Sequence, residues 1–291
     1  MLRSSILLPI NDMLRPKTAV SITDEFMAFD PASKSIRLNR TGTLAYEYLI
    51  LALGSETSYF DIPGLREHSL SLKTFDDAIR MRNAIENLLK KKDEIHIAVG
   101  GAGSSGVELV AEFVNFTCMM QEKLMPSIKK CSVFFTLIEA APDILPGFDA
   151  WVVILAKKRL QELGVTVKTN MPIVSVSETQ ITFKNGEVRP KDILIWTGGV
   201  KGPAIFHTLG LDISPKDSLI VDQYLRVKNH DGSIFAIGDN AMCMNPLTKK
   251  PVVWNVPAAE QEAKIAAINI LRAIARKPLM PFMPKKKYPF V

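Results

Sequence analysis

The feature that most restricts the fold is the run Gly101-Ala102-Gly103-Ser104-Ser105-Gly106, a GxGxxG placed directly after the apolar segment Ile95-His96-Ile97-Ala98-Val99. The apolar segment reads as a buried strand, and Val107 to about Leu124 reads as a helix with Val110, Phe113, Val114 and Thr117 on one face. Glycines at this spacing serve three separate needs: one permits a tight turn, one lets the backbone approach a pyrophosphate, and one packs the helix against the strand. The free N–H groups at the helix start, helped by the helix dipole, then hold phosphates. Alone, the six residues also suit a glycine turn used only for packing.

The context goes further than the motif. Cys131 to Ile138 reads as a second strand, and it ends in Glu139. An acidic side chain at that place can accept both hydroxyls of an adenosine ribose. A 2′-phosphate would meet a carboxylate instead, and two unit charges about 4 Å apart at an effective dielectric near 20 repel by about 4 kcal/mol. No arginine follows at once to reverse the sign, so NADH is expected over NADPH. Glu139 stands 33 residues after Gly106 rather than about 20, which implies a longer helix and connector. The plainer reading of Glu139 is a solvated residue at a strand end.

Elsewhere the pattern alternates strands and helices. Tyr48 to Leu53 is a buried strand running into Gly54-Ser55, and Ile62-Pro63-Gly64-Leu65 breaks the chain. Thr74-Phe75-Asp76-Asp77 fits a capping box before a helix that ends at Lys90-Lys91-Lys92, and Asp149 caps a helix that stops at Gly164. Asn185-Gly186 predicts a hairpin, and Ile193 to Trp196 a buried strand ending in Thr197-Gly198-Gly199. Ile234 to Ile237 leads into Gly238-Asp239, and a last helix starts near Pro257. Asp239 at its strand end suits a flavin's ribityl chain and the capping of the next turn equally. The class is α/β with a parallel sheet, without a fixed-period repeat.

Composition excludes several alternatives. The 291 residues are 47% hydrophobic and 23% charged, an ordinary globular balance. The net charge of +6 comes from scattered lysines and arginines, including Lys157-Lys158-Arg159 on a helix and Lys285-Lys286-Lys287 in a Pro-rich tail. These read first as solvated faces and next as contacts to anionic lipid headgroups, with no nucleic acid expected. Cys118, Cys131 and Cys243 form neither a CxxC metal pair nor a disulfide framework; Cys118 and Cys131 read as small buried hydrophobes, which suits a reducing compartment. No apolar run reaches the roughly 18 residues of a spanning helix, and the opening MLRSSILLPINDML lacks the cleavage site of a signal peptide.

Taken in order, Tyr46-x-Tyr48-Leu49-Ile50-Leu51-Ala52-Leu53-Gly54-Ser55, Ile62-Pro63-Gly64, Gly101 to Glu112, Trp196-Thr197-Gly198-Gly199-Val200 and Ile237-Gly238-Asp239 resemble the two-dinucleotide-binding flavoprotein oxidoreductases. Among these the chain is most similar to the type II, non-proton-pumping NADH dehydrogenases, from about Leu8 to Phe282. The resemblance implies a Rossmann-like NADH domain at 70–196, inserted in an FAD domain made of residues 1–69 and 197–291. It implies a hydride relay from NADH to FAD, with electrons passed on to a quinone of a respiratory chain. Gly101, Gly103, Gly106 and Glu139 would hold NADH, while Ala52, Leu53, Gly54, Ser55, Gly199, Gly238 and Asp239 would hold cofactor, mostly FAD. Glu108 and Glu112 match the family's GVELxxE helix start, with Glu108 near the nicotinamide; a carboxylate favoured at a helix start explains Glu108 equally well. Pro257-x-x-x-Gln261-x-Ala263 resembles the helix start beneath the flavin, where the family places its quinone; Glu260 departs from the small residue usual there, and Gln261 reads as readily as helix surface.

The family's own opening strand–GxGxxG–helix is not found before Leu8, nor its tail after Phe282, so the expectation is a chain lacking the N-terminal FAD phosphate-binding segment and the C-terminal tail. Two other activities stay open: an NADH-binding module or redox sensor without turnover, and a sulfide:quinone or related reductase, which would need a reactive cysteine pair. The expected setting is cytoplasmic, with contact to the cytoplasmic face of a membrane and a homodimer both compatible.

Overall fold

The chain leaves one compact unit after Gly54 and returns to it at Gly202, so residues 55–201 form a second unit inserted in the sequence of the first. The computed structural model describes residues 9–14, 19–126 and 131–285.

The first unit opens with a helical turn, α1 (Ile10–Met13), and an antiparallel meander of β1 (Phe26–Asp30), β2 (Ser35–Leu38) and β3 (Gly42–Ala45), followed by β4 (Leu49–Leu51).

The second unit holds β5 (Glu56–Thr57), β6 (Leu70–Ser71), α2 (Phe75–Leu89), β7 (Ile95–Gly100), α3 (Ser104–Leu124), β8 (Val133–Ile138), α4 (Ala150–Glu162) and β9 (Thr166–Lys168). It continues through β10 (Ile173–Val176), β11 (Gln180–Phe183), β12 (Val188–Pro190), β13 (Ile193–Trp196) and β14 (Val200–Lys201). Five strands form a parallel sheet in the order β6-β13-β7-β8-β9. Parallel strands joined by helices are buried on both faces, so they read as continuous apolar runs. In β7, Ile95, Ile97 and Val99 turn to the core built with Met81, Ile85, Leu109, Val110 and Leu160 of the helices. Ala98 turns the other way, to a core with Leu65, Ile173, Phe183 and Trp196. The expected hairpin joins β11 to β12, with Gly186 at φ +85°. Pairing of β5 with β14, Val200 opposite Thr57, ties the two ends of this unit together. Its compact extent is therefore wider at both ends than the 70–196 span expected for the NADH domain.

The chain then completes the first unit with β15 (Leu219–Ile220), β16 (Ile234–Ala236), β17 (Ala241–Met242) and α5 (Val256–Ile274). β4 and β16 pair in parallel, β15 and β17 likewise, over a core that includes Leu51, Phe206, Leu219, Phe235 and Ala266. Asn255 starts α5 by accepting the Ala258 N–H at 2.9 Å.

Two readings of the cysteines change. Cys118 on α3 and Cys131 before β8 form a disulfide, their Cα atoms 5.2 Å apart, rather than two separate buried thiols. The two cysteines stand thirteen positions apart, one on the helix and the other just before the next strand, a closeness that no sequence spacing announces. With it goes the cysteine-based support for a reducing compartment. Cys243 is a buried free thiol, which burial pushes up to about 12. Residues 1–8, which carry most of the apolar opening, lie outside the described residues, as do Lys286 and Lys287.

The capping box at Thr74 forms as expected: the Thr74 hydroxyl accepts the Asp77 N–H at 3.1 Å, and the Asp77 carboxylate accepts the Thr74 N–H at 2.8 Å. Replacing Thr74 by Ala removes one half of this reciprocal pair. The expected loss is about 1 kcal/mol of stability, read from the urea midpoint at unchanged slope.

Candidate functional site

Strand register assembles the glycine turn. Gly100 lies opposite Ile138 on one side and Trp196 on the other, so Gly101, Glu139 and Thr197 leave the sheet at one level. The Gly101 N–H donates to the Ile138 carbonyl at 2.8 Å, the Thr197 N–H to the Gly100 carbonyl at 2.8 Å, and the Thr197 hydroxyl to the Gly101 carbonyl at 2.9 Å.

Each glycine of the motif has a different physical reason. Gly101 has φ +99°, and a Cβ there would collide with the Gly198 backbone. A Cβ on Gly106 would collide with the Gly101 carbonyl oxygen, so the third glycine packs helix to strand. Gly103 has φ −68° and ψ −176°, an extended backbone open to any residue, and a Cβ there would meet nothing within 4 Å. It is also the N-cap of α3 and leaves the first-turn N–H groups without a side-chain cap. Protein packing does not demand a glycine at 103. What the glycine preserves is open space against uncapped helix N–H groups, the shape and charge a pyrophosphate needs.

Glu139 is fixed by this turn. Its carboxylate accepts the Ala102 N–H at 2.7 Å and the Ala141 N–H at 2.9 Å, and it lines a cavity of about 320 Å³. Gly101, Met171, Trp196 and Gly198 line the same cavity, with Phe60. The Trp196 indole N–H donates to the Ser58 carbonyl at 2.7 Å, and Phe60 packs edge-on to the indole. That ring also closes on Gly199, where a Cβ would come within 2.8 Å of it. Glu108 lies past the first turn of α3, exposed, with Glu112 one turn on and exposed as well. Ser55, in the same unit, is buried, and its hydroxyl accepts a hydrogen bond from the Lys73 ammonium at 2.7 Å.

The first unit holds a second pair of turns. β4 and β16 end side by side, Leu51 opposite Ala236, so Ala52 to Gly54 and the 3₁₀ turn Gly238–Asn240 are neighbours. Gly54 and Gly238 both have φ +71°, a left-handed backbone that favours glycine. Fully buried Asn240 joins the turns: its side-chain oxygen accepts the Gly54 N–H at 3.1 Å, and its amide donates to the Leu51 carbonyl at 2.9 Å. Ala52 and Leu53 are exposed, Asp239 and Gln261 half-buried.

Beneath the second turn lies a residue that the sequence reading passed over. Glu262 is 4% exposed, and its carboxylate accepts the Gly238 N–H at 2.6 Å. Burial pushes its carboxyl up to about 7; the Gly238 hydrogen bond opposes the shift and the Asp239 charge adds to it. One signal was legible: Glu262 falls on the helical face of Ala258 and Ala266, both buried. Asn240 had no comparable signal, because a polar residue after Gly-Asp reads as solvated turn.

Rossmann-type turns at the carboxyl ends of parallel strands define a nucleotide-binding α/β protein. The family model for pyridine nucleotide-disulphide oxidoreductases matches residues 7–263. This chain belongs to that family. It is 28% identical over 265 residues to the Arabidopsis thaliana external alternative NAD(P)H-ubiquinone oxidoreductase B4, mitochondrial, covering 81% of this chain and 45% of that one. It is 26% identical over 280 residues to a Staphylococcus epidermidis type II NADH:quinone oxidoreductase, covering 92% and 68%. Among solved structures, NDH2 from Plasmodium falciparum in complex with NADH superposes with a TM-score of 0.67 at 25% identity, over 76% of this chain and 50% of that one. The water-forming NADH oxidase of Lactobacillus brevis, at 21% identity and a TM-score of 0.69 over 89% and 54%, shares the fold. The chain spans about half the length of the first of these relatives.

Glu262 makes stability depend on pH. Its folded value lies above the unfolded 4.5, so its contribution is fully present below pH 4.5 and is lost as pH rises through about 7. The loss is about 3 kcal/mol. Unfolding midpoints taken between pH 4.5 and pH 8.5 are expected to fall in the native protein and to flatten in Glu262→Gln.

Proposed function

We propose that this chain carries the NADH- and FAD-binding parts of a type II NADH:quinone oxidoreductase. Gly103 carries the reading: a glycine demanded by neither its backbone angles nor its neighbours, at an uncapped helix start, keeps room for a pyrophosphate. NADH would lie across this turn, its adenosine ribose at the Glu139 carboxylate, which the Ala102 and Ala141 N–H groups hold in place. A carboxylate so fixed cannot swing away from a 2′-phosphate, which favours NADH over NADPH.

The residues at the second pair of turns fit a flavin. Two left-handed glycines at adjacent strand ends bring backbone close to a ligand, and Asp239 offers a carboxylate to ribityl hydroxyls. When bound, FAD supplies the two-electron chemistry between NADH and quinone; the chain binds and orients. Glu108 would face the nicotinamide from the second turn of α3, and Gln261 the quinone from the start of α5. Among the described residues no helix is long and apolar enough to cross a membrane. Exposed Leu271, Ile274 and Met283 support contact with a membrane surface, and a cytoplasmic face and a homodimer belong to the same proposal.

Two measurements test this reading. The full chain, loaded with FAD and desalted, is expected to keep the flavin absorption band, to lose it on anaerobic addition of NADH, and to regain it with a soluble quinone. Preserved NADH binding without retained flavin would overturn the flavin half and leave a nucleotide-binding module. Gly103→Ala is expected to cost no more than about 1 kcal/mol in folding while raising the NADH dissociation constant at least about tenfold. Unchanged affinity in that variant would remove the pyrophosphate from Gly103.

A further inference from the structure

Among the described residues, three residues of the Asp, Glu, Lys and Arg types are buried as whole residues below a tenth of their exposed area: Asp77, Lys191 and Glu262. Two of them have opposite charge nearby. Asp77 accepts the Lys73 and Thr74 N–H groups and pairs with Arg80; the Lys191 ammonium donates to the Glu178 carbonyl at 2.8 Å, and the Glu178 and Asp192 charges favour its protonated form. Glu262, among the described residues, has one hydrogen-bond partner, the Gly238 N–H, and only the like charge of Asp239 acting on it. A buried carboxylate without a counter-charge weakens a fold, so a hydrophobic side chain would serve packing better.

Its position gives it another use. The Gly238 N–H belongs to the turn whose Gly238 and Asp239 face the flavin in the reading above, on which this inference rests. The titratable groups that face Glu262 are Asp239 on that turn and Cys243 beyond β17. The Cys243 thiol is held neutral throughout the physiological range, and Asp239 adds negative charge rather than relieving it. FAD carries a pyrophosphate dianion and excludes water from the turn it covers. Both effects disfavour an ionised carboxylate behind that turn.

We propose that Glu262 is a positioning residue for the flavin that binds a proton when FAD seats: the carboxyl fixes Gly238 through its N–H and gives up its charge as the anionic cofactor arrives. Linkage sets the sign. A proton taken up on binding makes FAD affinity fall as pH rises, by at most tenfold per pH unit for one proton. The reverse coupling follows: flavin-loaded protein holds the Glu262 proton to higher pH than flavin-free protein.

The experiment is an FAD titration of the full chain, followed by flavin fluorescence at pH 6 and pH 8.5, with proton uptake read by a pH indicator dye in weak buffer at pH 7.5. The native chain is expected to bind FAD about tenfold more weakly at pH 8.5 and to take up protons on binding. Glu262→Gln keeps an acceptor for the Gly238 N–H without a titrating group; its affinity is expected to change less than about twofold across the range, without uptake. Glu262→Ala removes the acceptor, and weakened binding at both pH values is expected. An equal pH slope and equal uptake in native and Gln chains would overturn the proton role, and unaltered affinity in the Ala variant would overturn the positioning role. No FAD binding at either pH, with NADH binding intact, would overturn the flavin reading itself and this inference with it.

Discussion

Parallel register is the constraint on which the nucleotide turn depends. Gly100, Ile138 and Trp196 sit abreast at the ends of three adjacent strands, so residues far apart in sequence leave the sheet together. The turn is then closed by backbone: Gly101 to Ile138 and Thr197 to Gly100. A shift of one residue in β7 or β8 would turn that strand's buried side chains to the wrong face and separate Glu139 from Ala102. The apolar packing of Ile97, Val99, Leu137 and Ile195 therefore does more than stabilise the unit. It holds the geometry in which two amides grip the Glu139 carboxylate.

A similar economy operates in the other unit, with polar side chains as the connectors. Asn240 and Glu262 are both buried, and each reaches a backbone amide of a left-handed glycine, Gly54 and Gly238. Glycine supplies the turn its conformation but no side chain to hold it, so the restraint has to come from elsewhere in the fold. Asn240 supplies it as a neutral amide satisfied on both its atoms. Glu262 supplies it as a carboxyl that burial keeps near the point of losing its charge, which makes the same restraint sensitive to pH.

Much of the architecture was legible because it repeats local patterns. The Thr74 capping box, the Gly186 hairpin, the strand at Ile193–Trp196 and the α5 start near Pro257 all announce themselves within a few residues. The misread cysteines show the limit: nothing near Cys118 says that the chain after α3 turns back to set Cys131 beside it. Glu262 shows another, since a glutamate in a helix of mixed composition reads as surface until its neighbours on the helical face are counted.

The amino-acid sequence by itself determined the order of strands and helices, the glycine turn after β7 and the acidic end of β8, because strand periodicity, capping and the glycine requirement at left-handed or crowded positions act over a few residues. It also carried the family resemblance, which is a property of ordered motifs. Tertiary structure alone decided that Gly101 and Gly106 are glycines for the protein's sake while Gly103 leaves space open, that Glu139 is clamped by two amides, and that Glu262 lies uncompensated beneath Gly238. Those facts depend on the distance between groups far apart in the chain, and burial and hydrogen bonding across such distances exist only once the strands have paired and the cores have closed.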